Sequence, residues 1–270
     1  MLYGKVAVVT GASSGIGESL VYELARNGCN VVLSARSEEK LVEIEKDIRQ
    51  KFDIKTLVVK TDVSLEEDCR NLIEKTVEYF GQIDILINNA GISMRAVFKD
   101  CQLDVIKKVM DINFWGTVYC SKYALPYLIE SKGTLAAVIS TAGFRGLPGR
   151  TGYSASKFAI TGFLESVRTE NLKTGLHVLI ASPGFTQSNI RKTALNHLGQ
   201  QQGETPRDEN KLMTSEEVAK KIVKAILKRK LFLITDKTGL AVRLLNPLFP
   251  AWMDKQVLKD FAKEPGSPVS

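Results

Sequence analysis

Short runs of valine, isoleucine and leucine recur along the chain without the polar alternation of a half-exposed strand. They are VAVVT from residue 6, NVVLSA from 30, TLVVKT from 56, IDILINN from 83, LAAVIST from 135, HVLIAS from 177 and LFLIT from 231. Runs of this kind mark strands buried on both faces. Between them lie stretches of helical period near residues 15–28, 37–51, 65–80, 103–130, 153–174 and 215–229. The alternation of strand and helix predicts parallel order with right-handed crossovers. The expected fold class is α/β: a doubly wound parallel sheet of about seven strands, of the Rossmann kind, in one domain spanning 1–270.

No linker or repeat divides the chain. The one long irregular stretch, 184–214, is rich in Gln, Asn, Thr and Gly and follows the sixth strand. Structureless loops of that length in compact domains are commonly functional, so a substrate lid is expected there. Near the C-terminal end, about 238–264, Leu240, Val242, Leu244, Leu245, Leu248, Phe249, Trp252 and Met253 form an apolar tail interrupted by Pro247 and Pro250. Two readings stand: a tail packed on the fold or on another subunit, or a peripheral membrane surface at the substrate mouth.

Composition narrows the function classes. With 44% apolar and 25% charged residues, the 270-residue chain has material for a large core. Its formal charge of +7 suits an anionic partner. Lys220, Lys221, Lys224, Lys228 and Lys230 follow helical spacing beside Glu216 and Glu217, as on a solvated face. The basic residues lack an aromatic-interleaved surface, so no nucleic acid is expected as a partner. Cys29, Cys69, Cys101 and Cys120 are widely spaced, with no CxxC and only His177 and His197 to accompany them, which predicts no metal site and free thiols in a reducing compartment. MLYGKVAVVTG runs into a strand without a cleavable signal pattern, and no apolar run reaches the ~18 residues of a transmembrane segment. The expected location is cytoplasmic.

TGASSGIG, residues 10–17, lies between the first strand and the first helix. In that setting Gly11 permits a tight turn, Gly15 lets backbone approach a pyrophosphate, and Gly17 lets the helix close on the sheet, with Ile16 between them. The helix N-terminus adds amide donors and the positive end of its dipole. Ser13 and Ser14 are placed either to donate to the cofactor or to cap the helix. The second strand ends in Ala35 and Arg36, where a cofactor without a 2′-phosphate would meet an acid. Glu38 and Glu39 fit the first turn of the next helix instead. Arg36 can hold a 2′-phosphate through charge-assisted hydrogen bonds, so NADP(H) is expected over NAD(H).

VISTAGFRGLPGRTGYSASK places Ser140 at the fifth strand's end, thirteen residues before Tyr153. Tyr153 and Lys157 share a helix face at i and i+4. A free phenol with pKa ~10 is a poor acid–base group at neutral pH, and a cation about 5 Å away lowers it by roughly two units, with burial opposing. Ser140 would then bind a substrate oxygen, Tyr153 would give or take its proton, and Lys157 would also bind ribose hydroxyls. A serine hydrolase is the rival chemistry, but no GxSxG surrounds Ser140.

Together TGASSGIG, NNAG at 88–91, MDINFWG at 110–116, the Ser140/Tyr153/Lys157 set and SPG at 182–184 resemble the short-chain dehydrogenase/reductase family over roughly residues 4–235. The resemblance implies that the helix at Asn113 is kinked and that Asn113 there joins the active site, anchoring a water in a proton relay to Lys157. It implies further that Asn89, Ala90 and Gly91 lie beside the adenosine ribose, with structural hydrogen bonding as the other reading of both asparagines. Asp62 and Val63 are implied at the adenine, and Pro183, Gly184, Phe185 and Thr186 at the nicotinamide. Ser188 stands where many relatives carry threonine. Ala35 with Arg36 resembles the NADP-preferring pattern, whereas Ser14 departs from members with a basic residue before the second glycine.

NNAGISMRAVFKD and the tail resemble the branch around dehydrogenase/reductase member 7B and the 11β-hydroxysteroid dehydrogenases. That implies a reductase of a lipid-like, steroid or other small carbonyl, reversible as an alcohol dehydrogenase. Its pocket would be assembled from Ser93–Ala96, Phe144–Arg150 and the lid. A homodimer or homotetramer on the helices near 103–130 and 153–174 is also implied. Two alternatives stand beside this reading: a nucleotide-sugar epimerase or dehydratase, and a non-catalytic NADP(H)-sensing binding protein.

Overall fold

The computed structural model describes residues 2–205, 208–209 and 212–268. Seven strands form one parallel sheet: β1 (Val6–Thr10), β2 (Asn30–Ala35), β3 (Thr56–Lys60), β4 (Ile85–Asn88), β5 (Thr134–Val138), β6 (His177–Ser182) and β7 (Phe232–Ile234), in the order β3-β2-β1-β4-β5-β6-β7. The helices are α1 (Gly15–Arg26), α2 (Glu38–Lys51), α3 (Glu66–Phe80), α4 (Leu103–Met110), α5 (Gly116–Glu130), α6 (Thr151–Glu170), α7 (Ser215–Leu227), α8 (Lys237–Leu245) and α9 (Pro250–Ala262).

The uninterrupted apolar runs are strands covered on both sides. Successive side chains of a strand point to opposite faces, so Ala7 and Val9 of β1 pack with Leu20, Leu24, Leu41 and Ile222 of α1, α2 and α7. Val6 and Val8 pack on the other side with Leu72, Cys120, Ala124 and Leu164 of α3, α5 and α6. Helix starts carry readable signals. Thr214 and Glu217 form a capping box at α7, and Pro250 opens α9, where its missing N–H is no loss.

Strand order reverses beside β1, which pairs with β2 on one side and β4 on the other. Carboxyl ends diverging at such a point leave a crevice for a ligand. The expected helix over 103–130 is two helices joined by a π-turn at Asp111–Trp115. Single π-turns inside helices are enriched at functional sites.

The stretch after β6 is irregular yet tied down. Leu195 exchanges backbone hydrogen bonds with the 93–95 segment, its N–H donating to Ser93 at 2.9 Å and its carbonyl accepting from Arg95 at 2.8 Å. Arg191 holds Glu209 through Nε at 2.9 Å and donates from Nη2 to the Thr186 carbonyl at 2.7 Å. Positions 206, 207, 210 and 211 of the expected lid lie outside the described residues. The apolar tail resolves into α8 and α9. Met253, Val257 and Phe261 bury against Leu147, Val242 and Leu245, while Leu240, Leu244, Leu248, Phe249 and Trp252 remain exposed.

Candidate active site

The loop between β1 and α1 is shaped by what surrounds its glycines. Gly11 has φ +66°, and a Cβ there would lie 2.8 Å from the Ala90 Cα. A Cβ on Gly17 would meet the Gly11 carbonyl oxygen at 2.1 Å. At Gly15, φ +58°, the nearest atom is the Ser188 Cβ at 3.5 Å, so the loop and the segment after β6 face each other across a narrow space. Ser14 is the N-cap of α1, but its side chain makes no capping hydrogen bond. The capping reading of Ser14 therefore fails, and Ser14 stays exposed at the start of α1, where the first amides of the helix have no partner within it. Ser13 is half-buried beside it, and the Ile16 backbone lies in the first turn.

Asn89 is consumed by structure. Its Nδ2 donates to the carbonyls of Thr10 at 3.0 Å and Gly11 at 3.3 Å, while the Thr10 hydroxyl accepts from the backbone N–H of Asn89 (3.0 Å) and of Ala90 (3.1 Å). Its side chain thus fixes the phosphate loop from below. Thr10 shares that task; read from the sequence, it was only the last residue of a strand.

At the end of β2, Arg36 is exposed and, among the described residues, its guanidinium has no hydrogen bond or ion pair. Asp62 uses Oδ1 to hold Ser64 through its N–H at 3.0 Å and its hydroxyl at 2.7 Å. Val63 is buried against Gly116, where a Cβ would lie 2.8 Å away. On the far side, the Gly184 N–H donates to the Thr235 hydroxyl at 2.9 Å, and the Thr186 hydroxyl donates to the Gly184 carbonyl at 2.9 Å. Pro183 is buried and Phe185 exposed beside them. These residues fit a dinucleotide: the glycine cradle would take the pyrophosphate, Arg36 a 2′-phosphate, and the Pro183–Thr186 turn the nicotinamide end.

The polar cluster lies at the carboxyl ends of β4 and β5. Asn113, fully buried in the π-turn, accepts from the Ile92 N–H at 2.8 Å and donates to the Ile92 carbonyl at 3.0 Å and to the Ser156 hydroxyl at 2.9 Å. Lys157, 4% exposed, donates from Nζ to the Val138 carbonyl at 2.9 Å. A Cβ on Gly91 would lie 3.1 Å from the Asn113 Oδ1 and 3.5 Å from the Lys157 Nζ, which brings Gly91, Asn113 and Lys157 together. The Lys157 Nζ is 5.7 Å from the centre of the Tyr153 ring. Ser140 caps the 3₁₀ turn Thr141–Gly143, its hydroxyl accepting from the Ala142 N–H at 3.3 Å.

Burial pulls the Lys157 ammonium down to about 8. Burial also raises the Tyr153 phenol above its ordinary value, opposed by a hydrogen bond with Ser140 and by the charges of Arg150 and Arg191. Burial thus opposes the phenolate, as expected, and outweighs the cations near it. Lys157 is itself desolvated and turned to the Val138 carbonyl, and the charges that oppose burial are those of Arg150 at the start of α6 and Arg191 in the segment after β6. His177 is bound far from this cluster, between Thr134 at 3.1 Å and the Lys230 carbonyl at 2.9 Å, with burial lowering its pKa. It sits at the amino ends of β5 and β6, so it cannot activate Ser140 as a hydrolase would require.

The short chain dehydrogenase family model matches residues 5–198, the stretch that contains the glycine loop and this whole cluster. The chain belongs to the short-chain dehydrogenase/reductase family. The chain is 40% identical over 190 residues to 11-beta-hydroxysteroid dehydrogenase 1A of Arabidopsis thaliana, a match covering 70% of this chain and 54% of that protein. It is 39% identical over 198 residues to 11-beta-hydroxysteroid dehydrogenase A of Sesamum indicum, covering 73% and 57%. With 11-beta-hydroxysteroid dehydrogenase-like 4A of A. thaliana the identity is 37% over 233 residues, covering 85% and 75%. The matches thus span little more than half the length of the first two relatives. Among solved structures it resembles an alcohol dehydrogenase of the archaeon Thermococcus sibiricus complexed with 5-hydroxy-NADP (TM-score 0.76, 25% identity, 85% and 95% of the two chains). The fold is also shared with a short-chain dehydrogenase/reductase of Burkholderia phymatum (TM-score 0.82, 23% identity, 93% and 96%).

Proposed function

We propose that this protein is an NADP(H)-dependent oxidoreductase that interconverts a carbonyl and a secondary alcohol, acting as a reductase on a lipid-like, steroid or other small carbonyl. The observation that carries this reading is the convergence of Gly91, Asn113 and Lys157 beside the Tyr153 ring, at the switch point of a sheet whose first loop is built to receive a pyrophosphate. The 11β-hydroxysteroid dehydrogenase names of the relatives support the reaction class and the lipid-like substrate. Arg36, whose guanidinium has no hydrogen bond or ion pair among the described residues, supports the choice of NADP(H).

When bound, the nicotinamide supplies the hydride. Ser140 would donate a hydrogen bond to the substrate oxygen and Tyr153 would give it the phenolic proton, a step suited to a buried phenol that stays protonated at neutral pH. Lys157 would hold ribose hydroxyls. Asn113 would keep the Ile92 backbone and Ser156 in register, so that a water can relay protons toward Lys157.

The whole chain is read as one domain with the 184–214 segment as its substrate lid. Arg191 and Leu195, already docked on the site, support that assignment. Exposed Trp115 and Phe158 on the α5 and α6 side support a homodimer or homotetramer there. The exposed apolar side of α8 and α9 supports peripheral contact with lipid or another subunit. Among the described residues, no helix is long and apolar enough to cross a membrane. The free cysteines suit the proposed cytoplasmic location.

The test is oxidation of NADPH, and of NADH in parallel, against a panel of aldehydes, quinones, steroid ketones and 3-oxoacyl thioesters. Turnover of at least one carbonyl with NADPH favoured is the expected result. No turnover of any carbonyl with either cofactor overturns the reading.

A further inference from the structure

The end of α9 returns to the start of the catalytic helix. Arg150 is the residue before α6, and Tyr153 stands three positions further on, in its first turn. Glu264, 8% exposed, places Oε2 at 3.3 Å from Arg150 and 3.9 Å from Arg95. The carbonyl of Pro265 accepts from the Arg95 Nη2 at 2.6 Å, and the Arg150 guanidinium lies 5.4 Å from the centre of the Phe261 ring. The segments bearing the two arginines are already joined, the Ala96 N–H donating to the Gly149 carbonyl at 3.0 Å. One carboxylate near the end of the chain therefore gathers both backbone segments that frame the phenol.

Arg95 and Arg150 keep only 11% and 12% of their side chains exposed, and buried charges persist where opposite charges meet them. Among the described residues, the groups that charge the surroundings of Tyr153 are Lys157 on its own helix, Arg150 before it, Arg191 held by Glu209, and Arg95 behind Arg150. Glu264 sets its carboxylate against both Arg95 and Arg150.

We propose that Glu264 is a positioning residue for the reaction: through Arg150 it fixes the first turn of α6 and limits the positive charge that Tyr153 faces. Its effect on turnover rests on Tyr153 being the proton donor proposed above; its effect on the phenol itself does not. A field made more positive favours phenolate, so neutralising Glu264 lowers the pH at which Tyr153 ionises. In carbonyl reduction, where the proton must be present, the alkaline limb then falls at lower pH.

The experiment titrates tyrosinate absorbance of the full chain without cofactor, taking Tyr153 as the difference from Tyr153→Phe, in wild-type and Glu264→Gln backgrounds. The expected result is a midpoint lowered by about half a unit or more in Glu264→Gln, with most of the shift recovered in Glu264→Asp. An unmoved midpoint in Glu264→Gln, or an equal shift in Glu264→Asp, overturns the inference. Should Glu264→Gln not fold, the double variant Arg150→Gln/Glu264→Gln removes both charges. Its midpoint then rises above wild type because the nearer charge is lost, and an unmoved midpoint overturns the inference. A lowered midpoint in Glu264→Gln together with a wild-type chain that reduces no carbonyl leaves this inference standing and overturns the proposed function.

Discussion

Asn113 holds Ile92 by both ends of its peptide, accepting from the N–H at 2.8 Å and donating to the carbonyl at 3.0 Å. The bond pair locks the segment after β4, which carries Gly91, against the π-turn between α4 and α5. Asn113→Ala leaves two backbone groups of Ile92 and the Ser156 hydroxyl without that partner. It should lower unfolding free energy by about 1–3 kcal/mol, measured by urea denaturation. A loss of turnover with no loss of stability would contradict the structural half of this role.

Gly17→Ala drives a Cβ to 2.1 Å from the Gly11 carbonyl oxygen, a backbone atom held by Asn89 and unable to swing away. The expected outcome is a phosphate loop forced open and NADPH affinity reduced about tenfold or more, read by fluorescence titration of the cofactor. Unchanged affinity would show that the loop does not meet the pyrophosphate.

Arg36→Asp replaces the exposed cation just after β2 with a carboxylate able to accept from ribose hydroxyls. Loss of a charge-assisted pair worth about 1.5–3 kcal/mol should weaken NADPH by roughly 10- to 100-fold while NADH gains. The ratio of kcat/KM for the two cofactors measures it. A ratio that stays the same would remove Arg36 from cofactor selection.

Burial at Lys157 has a consequence for stability with a definite sign. Its folded pKa of about 8 lies below the ordinary 10.5, so the unfolded chain binds the extra proton between those values. The burden on the fold is full below pH 8, shrinks as pH rises and is gone above 10.5. Lys157→Met should therefore stabilise the fold at pH 7, by about 3 kcal/mol at most and less for the lost bond to the Val138 carbonyl. That gain should fade between pH 8 and 10.5, while turnover is lost throughout. Thermal melts of both proteins across this range decide it.

Much of this architecture is legible in the sequence because it depends on local patterns. The uninterrupted VAVVT and HVLIAS runs mark strands covered twice, Gly11 and Gly17 each answer a contact that a Cβ would break, and Gly15 answers a positive φ. The i, i+4 spacing of Tyr153 and Lys157 likewise put them on one face. Relations between distant residues were not legible. The resemblance carried by MDINFWG implies a kinked helix, but nothing in it says that the kink is a π-turn that clamps Ile92. The tie between Arg150 and Glu264 joins residues 114 positions apart. The charge around Tyr153 was legible only in part for the same reason: spacing shows Lys157 as a neighbour and burial as its opponent, but not that Lys157 is itself desolvated or that Arg150 and Arg191 face the phenol from the start of α6 and from the segment after β6.

The most direct measurement of the central claim is the steady-state reduction, with NADPH, of a carbonyl accepted by the wild-type protein, compared between wild type and Tyr153→Phe with cofactor affinity determined alongside. The substitution keeps the ring beside Lys157 and removes only the phenolic proton donor. Turnover should fall by about a hundredfold or more with NADPH binding little changed. Turnover within about threefold of wild type would contradict the assignment of Tyr153 as the proton donor.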